Sequence, residues 1–279
     1  TAYDGVHPWH VAFTSISAKD FLAKNFDKWS MPVLATPENV ADKNLCLFPE
    51  KINGQYMLLH RIGATLCADL LPSLEFKANP ITRCIEIMGP RQGMWDSQKI
   101  GIAGPPIKTK YGWLLIYSHI QNYFPSPEGL DRIFGIEALL LDINDPTKII
   151  GRTKGPMIVP DEPYELSGYV GNVVFPTGAL IEKDTLTIYY GAADTTTCVA
   201  HVSLGDLVGG MCEKTSGDFR FKRAPNNPII SPKAENDWES KATFNPATIY
   251  LGGKTHILYR TLSSDNTSSI GYASSNDGL

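Results

Sequence analysis

The stretch Phe48-Pro49-Glu50-Lys51-Ile52-Asn53-Gly54-Gln55-Tyr56-Met57-Leu58-Leu59-His60-Arg61 reads as strand, tight turn, strand. Asn-Gly between two apolar runs is a strong short-range hairpin signal, because both turn residues must take positive φ. The second run ends on a ring residue followed by a polar one, and the plan recurs. Residues 104–117 turn at Tyr111-Gly112, residues 175–190 at Lys183-Asp184, and residues 244–260 at Gly252-Gly253. With Tyr3-Asp4 at the start, the ring residues are Tyr3, His60, Tyr117, Tyr190 and Tyr259, spaced by 57, 57, 73 and 69 residues. Self-similarity at such a period marks a radial or stacked array of supersecondary units.

A third strand follows each ring residue, at 11–15, 67–69, 136–142, 198–202 and 270–273, with outer strands expected at 84–88 and 148–152. Short strands punctuated by 24 glycines and 20 prolines argue for an all-β chain. Helix is limited to single turns near 17–22 and 204–208. Four-stranded units of this length predict a five-bladed β-propeller, a single domain over residues 1–279. Its first blade lacks an innermost strand and its last an outermost one. Residues 214–227 read as a linker or an outer strand. In a propeller the ends of the innermost strands face one axial mouth, so the polar residues at the five ring positions are expected to converge there.

Composition narrows the function. At 279 residues, 43% hydrophobic and 19% charged, the chain has material for a large core. A net charge of −4 gives no electrostatic case for nucleic acid. No apolar run reaches eighteen residues, so no helical membrane span is expected. The five cysteines, Cys46, Cys67, Cys84, Cys198 and Cys212, lack CxxC spacing. They read as free thiols of a reducing, cytoplasmic compartment. His7, His10, His201 and His256 show no ligand spacing, so neither a metal nor another cofactor is expected. No secretory leader pattern is present, and both ends read as cut within a longer sequence.

Four clusters place charged or amide groups at the ends of the inner strands, where a sealed core would not tolerate them and a wet mouth would. They are Asp42-Lys43-Asn44 with His60-Arg61; Trp95-Asp96 with Lys99; Asn172 to Pro176 with Gly191-Ala192-Ala193-Asp194; and Thr243-Phe244-Asn245-Pro246 with Tyr259-Arg260. Each has a plainer reading. Arg61 and Arg260 are candidates for surface ion pairs, Lys99 for a local pair with Asp96, and Asp194 and Asn245 for turn formers.

Together the strings Tyr3-Asp4-Gly5, Leu47 to Gly54, Leu59-His60-Arg61, Trp95-Asp96, Lys99-Ile100-Gly101, Gly112 to Tyr117, Asn172 to Pro176, Tyr189 to Asp194 and Thr243 to Ala247 resemble glycoside hydrolase family 130. These are β-mannoside phosphorylases and related β-mannosidases with a five-bladed propeller fold. The resemblance implies inverting attack by inorganic phosphate on a β-mannoside or manno-oligosaccharide, giving mannose 1-phosphate. Phosphate is then a co-substrate, held by cationic side chains. Carried over by position, Lys43, Arg61, Arg260 and His119 correspond to phosphate-pocket groups. Asn44, Lys99, Asp194 and Asn245 correspond to groups around the mannosyl unit, with Phe175 as an apolar wall.

Four departures from the family pattern stand out. The Phe-Asn-Pro-Ala strand comes last instead of first, and the Glu-Asp-Pro-Arg motif carrying the family's proposed proton donor is absent, so no catalytic acid is identified. The chain therefore reads as a piece of a longer or tandem protein, or as a permuted propeller. The family's Tyr-His-Gly is Tyr117-Ser118-His119, which moves the histidine to the other strand face. A tyrosine expected near the next strand is Phe134. A β-mannosidase using water, and a non-catalytic sugar-binding propeller, stand as alternatives. Open strand edges in an incomplete blade also predict a possible homo-oligomer.

Overall fold

The computed structural model describes residues 8–122, 132–212 and 221–279. The Tyr3-Asp4-Gly5 repeat lies outside the described residues, as does the first half of the 214–227 segment, residues 214–220. By internal contacts the chain divides into two compact units, Thr1–Gly89 and Pro90–Leu279.

In the first unit, β1 (Ala12–Phe13) and β2 (Val33–Leu34) form a two-stranded ribbon. The strands β3 (Asp42–Leu47), β4 (Tyr56–Ile62), β5 (Thr65–Leu71) and β6 (Ile85–Met88) form an antiparallel sheet in sequence order. Asn53 and Gly54 take φ of 49° and 80°, the positive values that an Asn-Gly turn requires. A short core lies under the ribbon, where Val11, Ala35, Leu58, Phe76 and Ile81 are buried. Cys67 and Cys84 are joined in a disulfide. That corrects the free-thiol reading for these two, because the antiparallel pairing of β5 with β6 brings the start of β6 beside Cys67. Cys46 and Cys198 are free, and burial pushes each thiol up to about 12.

The second unit stacks three sheets. The first is β7 (Lys99–Ile102), β8 (Ile107–Thr109), β9 (Gly112–Asn122), β10 (Arg132–Leu141) and β11 (Ile149–Arg152). Here the expected inner strand is split, with β7 and β8 each pairing a different part of β9. Pro105 and Pro106 sit between them and have no N–H to offer a ladder. The second sheet is β12 (Val174–Glu182), β13 (Thr185–Ala192), β14 (Thr196–Ser203) and β15 (Lys222–Arg223). The third is β16 (Ala242–Leu251), β17 (Lys254–Leu262) and β18 (Ser268–Ser275), with no fourth strand. β12 packs on β10 on one side and on β16 on the other. The largest core runs from Leu114, Ile116 and Leu140 through Val174 and Ile188 to Leu207.

The described residues thus hold four blade-like sheets, not the five expected, plus the β1–β2 ribbon. The ribbon has two-residue strands because the expected 11–15 strand finds a partner only at Val33 and Leu34. Two short helices, Ala18–Leu22 and Leu204–Cys212, fall where single turns were expected, and the second runs to nine residues. A third, Pro163–Leu166, has no counterpart in the sequence reading. None is long and apolar enough to cross a membrane.

Candidate functional site

Each described ring residue of the repeat ends on a buried carboxylate. His60 Nδ1 lies 2.7 Å from Asp42 Oδ2, and the Tyr117 hydroxyl donates to Glu137. The Tyr190 hydroxyl donates to Glu165 at 2.8 Å and the Tyr259 hydroxyl to Glu239 at 3.0 Å. All four carboxylates are buried. A buried carboxylate without partners is costly, so each pair fixes its strand end. The ring tips are therefore held inside the blades. The next residue along is Arg61, Ser118, Gly191 or Arg260, and of these four Arg260 alone is exposed.

Two blades carry one further device in common. In the first unit Lys43 pairs with Arg61, the ladder then bulges, and pairing resumes at Cys46 with Leu59. In the last sheet Phe244 pairs with Arg260, the ladder bulges, and pairing resumes at Ala247 with Leu258. The residue at each bulge is an asparagine in the left-handed region, Asn44 with φ 60° and Asn245 with φ 51°. Bulges re-aim side chains, and asparagine is among the few non-glycine residues that accept this backbone.

In the second unit this device opens into a cavity of about 210 Å³, to which Asp194, Asn245, Arg260, Phe175, Phe134 and Phe244 contribute. Val170 and Val173 complete the wall. Asn172, Ala193 and Asp194 also have positive φ, at 59°, 47° and 48°. Left-handed backbone costs an L-residue about 1–2 kcal/mol, and such strain gathers at ligand sites. It is held here by paired backbone bonds, Val170 N–H to Ala193 O at 3.0 Å and Ala193 N–H to Val173 O at 2.9 Å. Gly191 allows β13 to close on β16, since a Cβ there would meet Asn245 N at 3.3 Å.

Charge in the cavity is divided. Burial pushes the Asp194 carboxyl above the usual carboxylate range, and Arg260 pulls it part of the way back. The exposed Arg260 guanidinium lies 4.9 Å from the Phe244 ring centroid, and its Nε donates to Ser268 Oγ at 2.9 Å. Stacking and one hydrogen bond aim the fork while leaving most of its five donors for a ligand. The aromatic floor with a few polar groups at the rim is the usual composition of a small-molecule pocket.

Lys99 begins β7, opposite Ile120, on the same strand face as Gly101. A Cβ on Gly101 would touch the Phe175 ring at 3.6 Å, so Lys99 shares the Phe175 side of the sheet without lining the cavity. Its expected partner Asp96 is taken by Arg91, at 3.0 Å, and by Arg152. His119 is turned the other way, fully buried, with neither ring nitrogen bonded to a described residue. Burial holds its pKa down to about 4, so it meets no phosphate as a cation. The phosphate role expected for His119 is therefore not carried forward. The reason is strand parity, because Ser118 faces Gly101 and His119 faces Trp95.

In the first unit Arg61 is 8% exposed, and its Nε has no protein partner among the described residues. Burial lowers its pKa, opposed by the charge of Asp42. A buried guanidinium with an open N–H is an anion seat in waiting. Lys43 Nζ lies 3.4 Å from the Trp9 ring centroid. A larger cavity of about 440 Å³ in this unit, floored by Phe13, Val33, Leu74 and Phe76, holds none of the site residues read from the sequence. No group of three His, Cys, Asp or Glu among the described residues is placed to hold a metal.

Known proteins share this pattern. A family model described as glycoside hydrolase 130, beta-1,4-mannooligosaccharide phosphorylase, matches residues 5–213. A 1,2-beta-oligomannan phosphorylase of Thermoanaerobacter sp. (strain X514) is 37% identical over 189 residues, 66% of this chain and 58% of that protein. A beta-1,2-mannobiose phosphorylase of Listeria innocua serovar 6a is 34% identical over 210 residues, 74% of this chain and 54% of that protein. The solved structure of the Listeria innocua enzyme with beta-1,2-mannobiose has a TM-score of 0.55 at 32% identity, covering 65% of this chain and 50% of that one. A thermostable family-43 glycoside hydrolase has a TM-score of 0.59 at 12% identity over 90% of this chain, a likeness of fold alone. The chain spans about half the length of the curated relatives it matches.

Proposed function

The chain belongs to glycoside hydrolase family 130, and on that premise we propose that it contributes to phosphorolysis of β-mannosides, giving mannose 1-phosphate. The observation that carries the reading is the shared device of the two blades, a left-handed asparagine at a bulge with an arginine at the paired strand end. In the second unit, Asp194 and Asn245 offer hydroxyl partners to a mannosyl ring, with Phe175 and Phe244 against its apolar face. Arg260 reaches the same cavity and takes the phosphate. In the first unit, taken by itself, Arg61 and Lys43 are the cationic side chains suited to a phosphate, on the hairpin that carries Asn44. Phosphate attacks the anomeric carbon as the glycosidic C–O bond breaks, with inversion, and the leaving oxygen gains a proton. The proton donor is not assigned to any described residue. Phosphate serves as co-substrate, with no cofactor required.

One observation favours a second reading, hydrolysis by water on the same fold. Phe134 lines the cavity without a hydroxyl and His119 is turned inward, which leaves fewer groups for phosphate. The two readings separate on products from a β-manno-oligosaccharide panel with and without inorganic phosphate. Mannose 1-phosphate formed only with phosphate is the expected result, from this chain or from the longer protein containing it. Free mannose without phosphate overturns it in favour of hydrolysis. Binding without turnover under every condition leaves a sugar-binding propeller.

A further inference from the structure

Three of the four ring locks are Tyr–Glu pairs, whereas the lock beside Arg61 is a His–Asp pair. The difference matters because of what Asp42 does with its other oxygen. Asp42 Oδ1 accepts the backbone N–H of Lys43 at 2.7 Å and that of Arg61 at 3.1 Å, so one carboxylate grips both cationic residues by their main chain.

His60 ties the other oxygen of that carboxylate to a second anchor. Its Nδ1 is 2.7 Å from Asp42 Oδ2, and its Nε2 is 3.0 Å from the Arg83 carbonyl. The Arg83 carbonyl can only accept, so Nε2 donates to it, and the ring bridges the Asp42 carboxylate to the Arg83 main chain. The Arg83 anchor is itself fixed. Asp69 Oδ2 accepts the N–H groups of Thr82 and Arg83 at 3.1 and 3.0 Å, and the next residue, Cys84, is disulfide-linked to Cys67. His60 and Asp42 are each 1% exposed.

Resting on the function proposed above, we propose that His60 and Asp42 are positioning residues for phosphate. They fix the main chain at Lys43 and Arg61, and with it the place from which both cationic side chains start. The test uses the whole protein and inorganic phosphate as the probe, with binding measured by calorimetry and turnover measured beside it. His60→Asn keeps an amide donor near the Nδ1 position, and His60→Gln puts one near Nε2, so the pair asks which bond matters. The expected result is phosphate binding near wild type for H60N and about tenfold weaker for H60Q, which is about 1.4 kcal/mol. The KM for mannoside and the melting temperature of the two variants should agree. H60F, which keeps a ring and loses both donors, should match or exceed the loss in H60Q if it folds. Equal phosphate affinity in H60N and H60Q overturns the proposal, as does a loss shared equally by the KM for mannoside. Wild-type protein that binds no phosphate overturns the phosphorylase reading and this inference with it, whereas binding that is unchanged in both variants overturns this inference alone.

Discussion

Replacing His119 with leucine should make the protein less sensitive to acid, by an amount that follows from the burial of the ring. An ordinary histidine titrates near 6.5, and burial between Gly135 and Trp95 holds this one down to about 4. The nearby Asp96 carboxylate pulls the other way without prevailing, and Arg91 adds to the lowering. In the folded chain His119 is therefore neutral at pH 5, while in the unfolded chain it has taken up a proton. The unfolded state binds more protons across the window from about 6.5 down to about 4, so stability falls as pH falls through it. Carried to the bottom of that window the loss approaches about 3 kcal/mol, and between pH 7 and pH 5 it is about 2 kcal/mol. For a chain of this length that is a difference of roughly 4–8 °C in melting temperature. The assay is thermal unfolding of wild type and H119L at both pH values, read as the difference between their two shifts. Carboxylates elsewhere titrate alike in both proteins and cancel. Equal acid shifts in wild type and H119L would refute the reasoning, and would mean that the ring is solvated or ion-paired in the fold.

Asp194→Asn should raise the KM for mannoside while sparing the KM for phosphate. Because burial holds Asp194 above the ordinary carboxylate range, wild-type kcat/KM should begin to fall on acidification before a surface aspartate protonates, and that limb should move in D194N. Arg223→Met strips Glu165 of a bidentate partner, with contacts of 2.8 Å to each oxygen, and should cost about 3–5 kcal/mol by thermal unfolding. Adding Glu165→Gln should recover part of that loss, since no uncompensated charge remains buried. Gly135→Ala puts a methyl 2.4 Å from the His119 ring and 3.1 Å from the Ile158 carbonyl, and should cost about 1–3 kcal/mol. In an H119A background the same change should cost distinctly less, and an unchanged cost would assign the clash to Ile158 instead.

What could be read ahead of the structure was local or periodic. The hairpin turns at Asn53-Gly54 and Gly252-Gly253 lie where expected, because positive φ at these residues is a property of two neighbouring amino acids. The side to which His119 points followed from counting strand parity by one. Blade number was misjudged because the 11–15 segment was assigned a full strand, whereas only Ala12 and Phe13 pair. The partners of the ring residues were invisible for a different reason. Glu165 reaches Tyr190 from a four-residue helix, and Glu239 reaches Tyr259 from a 3-10 turn. Neither carries a periodic signal, and each meets its tyrosine only after chain separations of 25 and 20 residues are folded back. Asp96 is likewise paired with Arg152, 56 residues away. The cavity residues were legible as motifs, but Val173 and Phe244 carried no role of their own there and Val170 lay outside the motifs, since apolar walls look like any core until a strained turn opens a space beside them.

The ring–carboxylate locks separate two jobs that a strand end would otherwise have to share. Closure of the strand end is assigned to one residue, whose tip is sealed inside the blade, and the next residue is left out of that pair. Where the next residue is exposed, as Arg260 is, it can be altered without loosening the strand end. Arginine, serine, glycine and arginine occupy that position in the four described blades, at 61, 118, 191 and 260. At the exposed Arg260 a blade's surface can be altered at one place, much as a key is recut at one notch while its shank stays untouched.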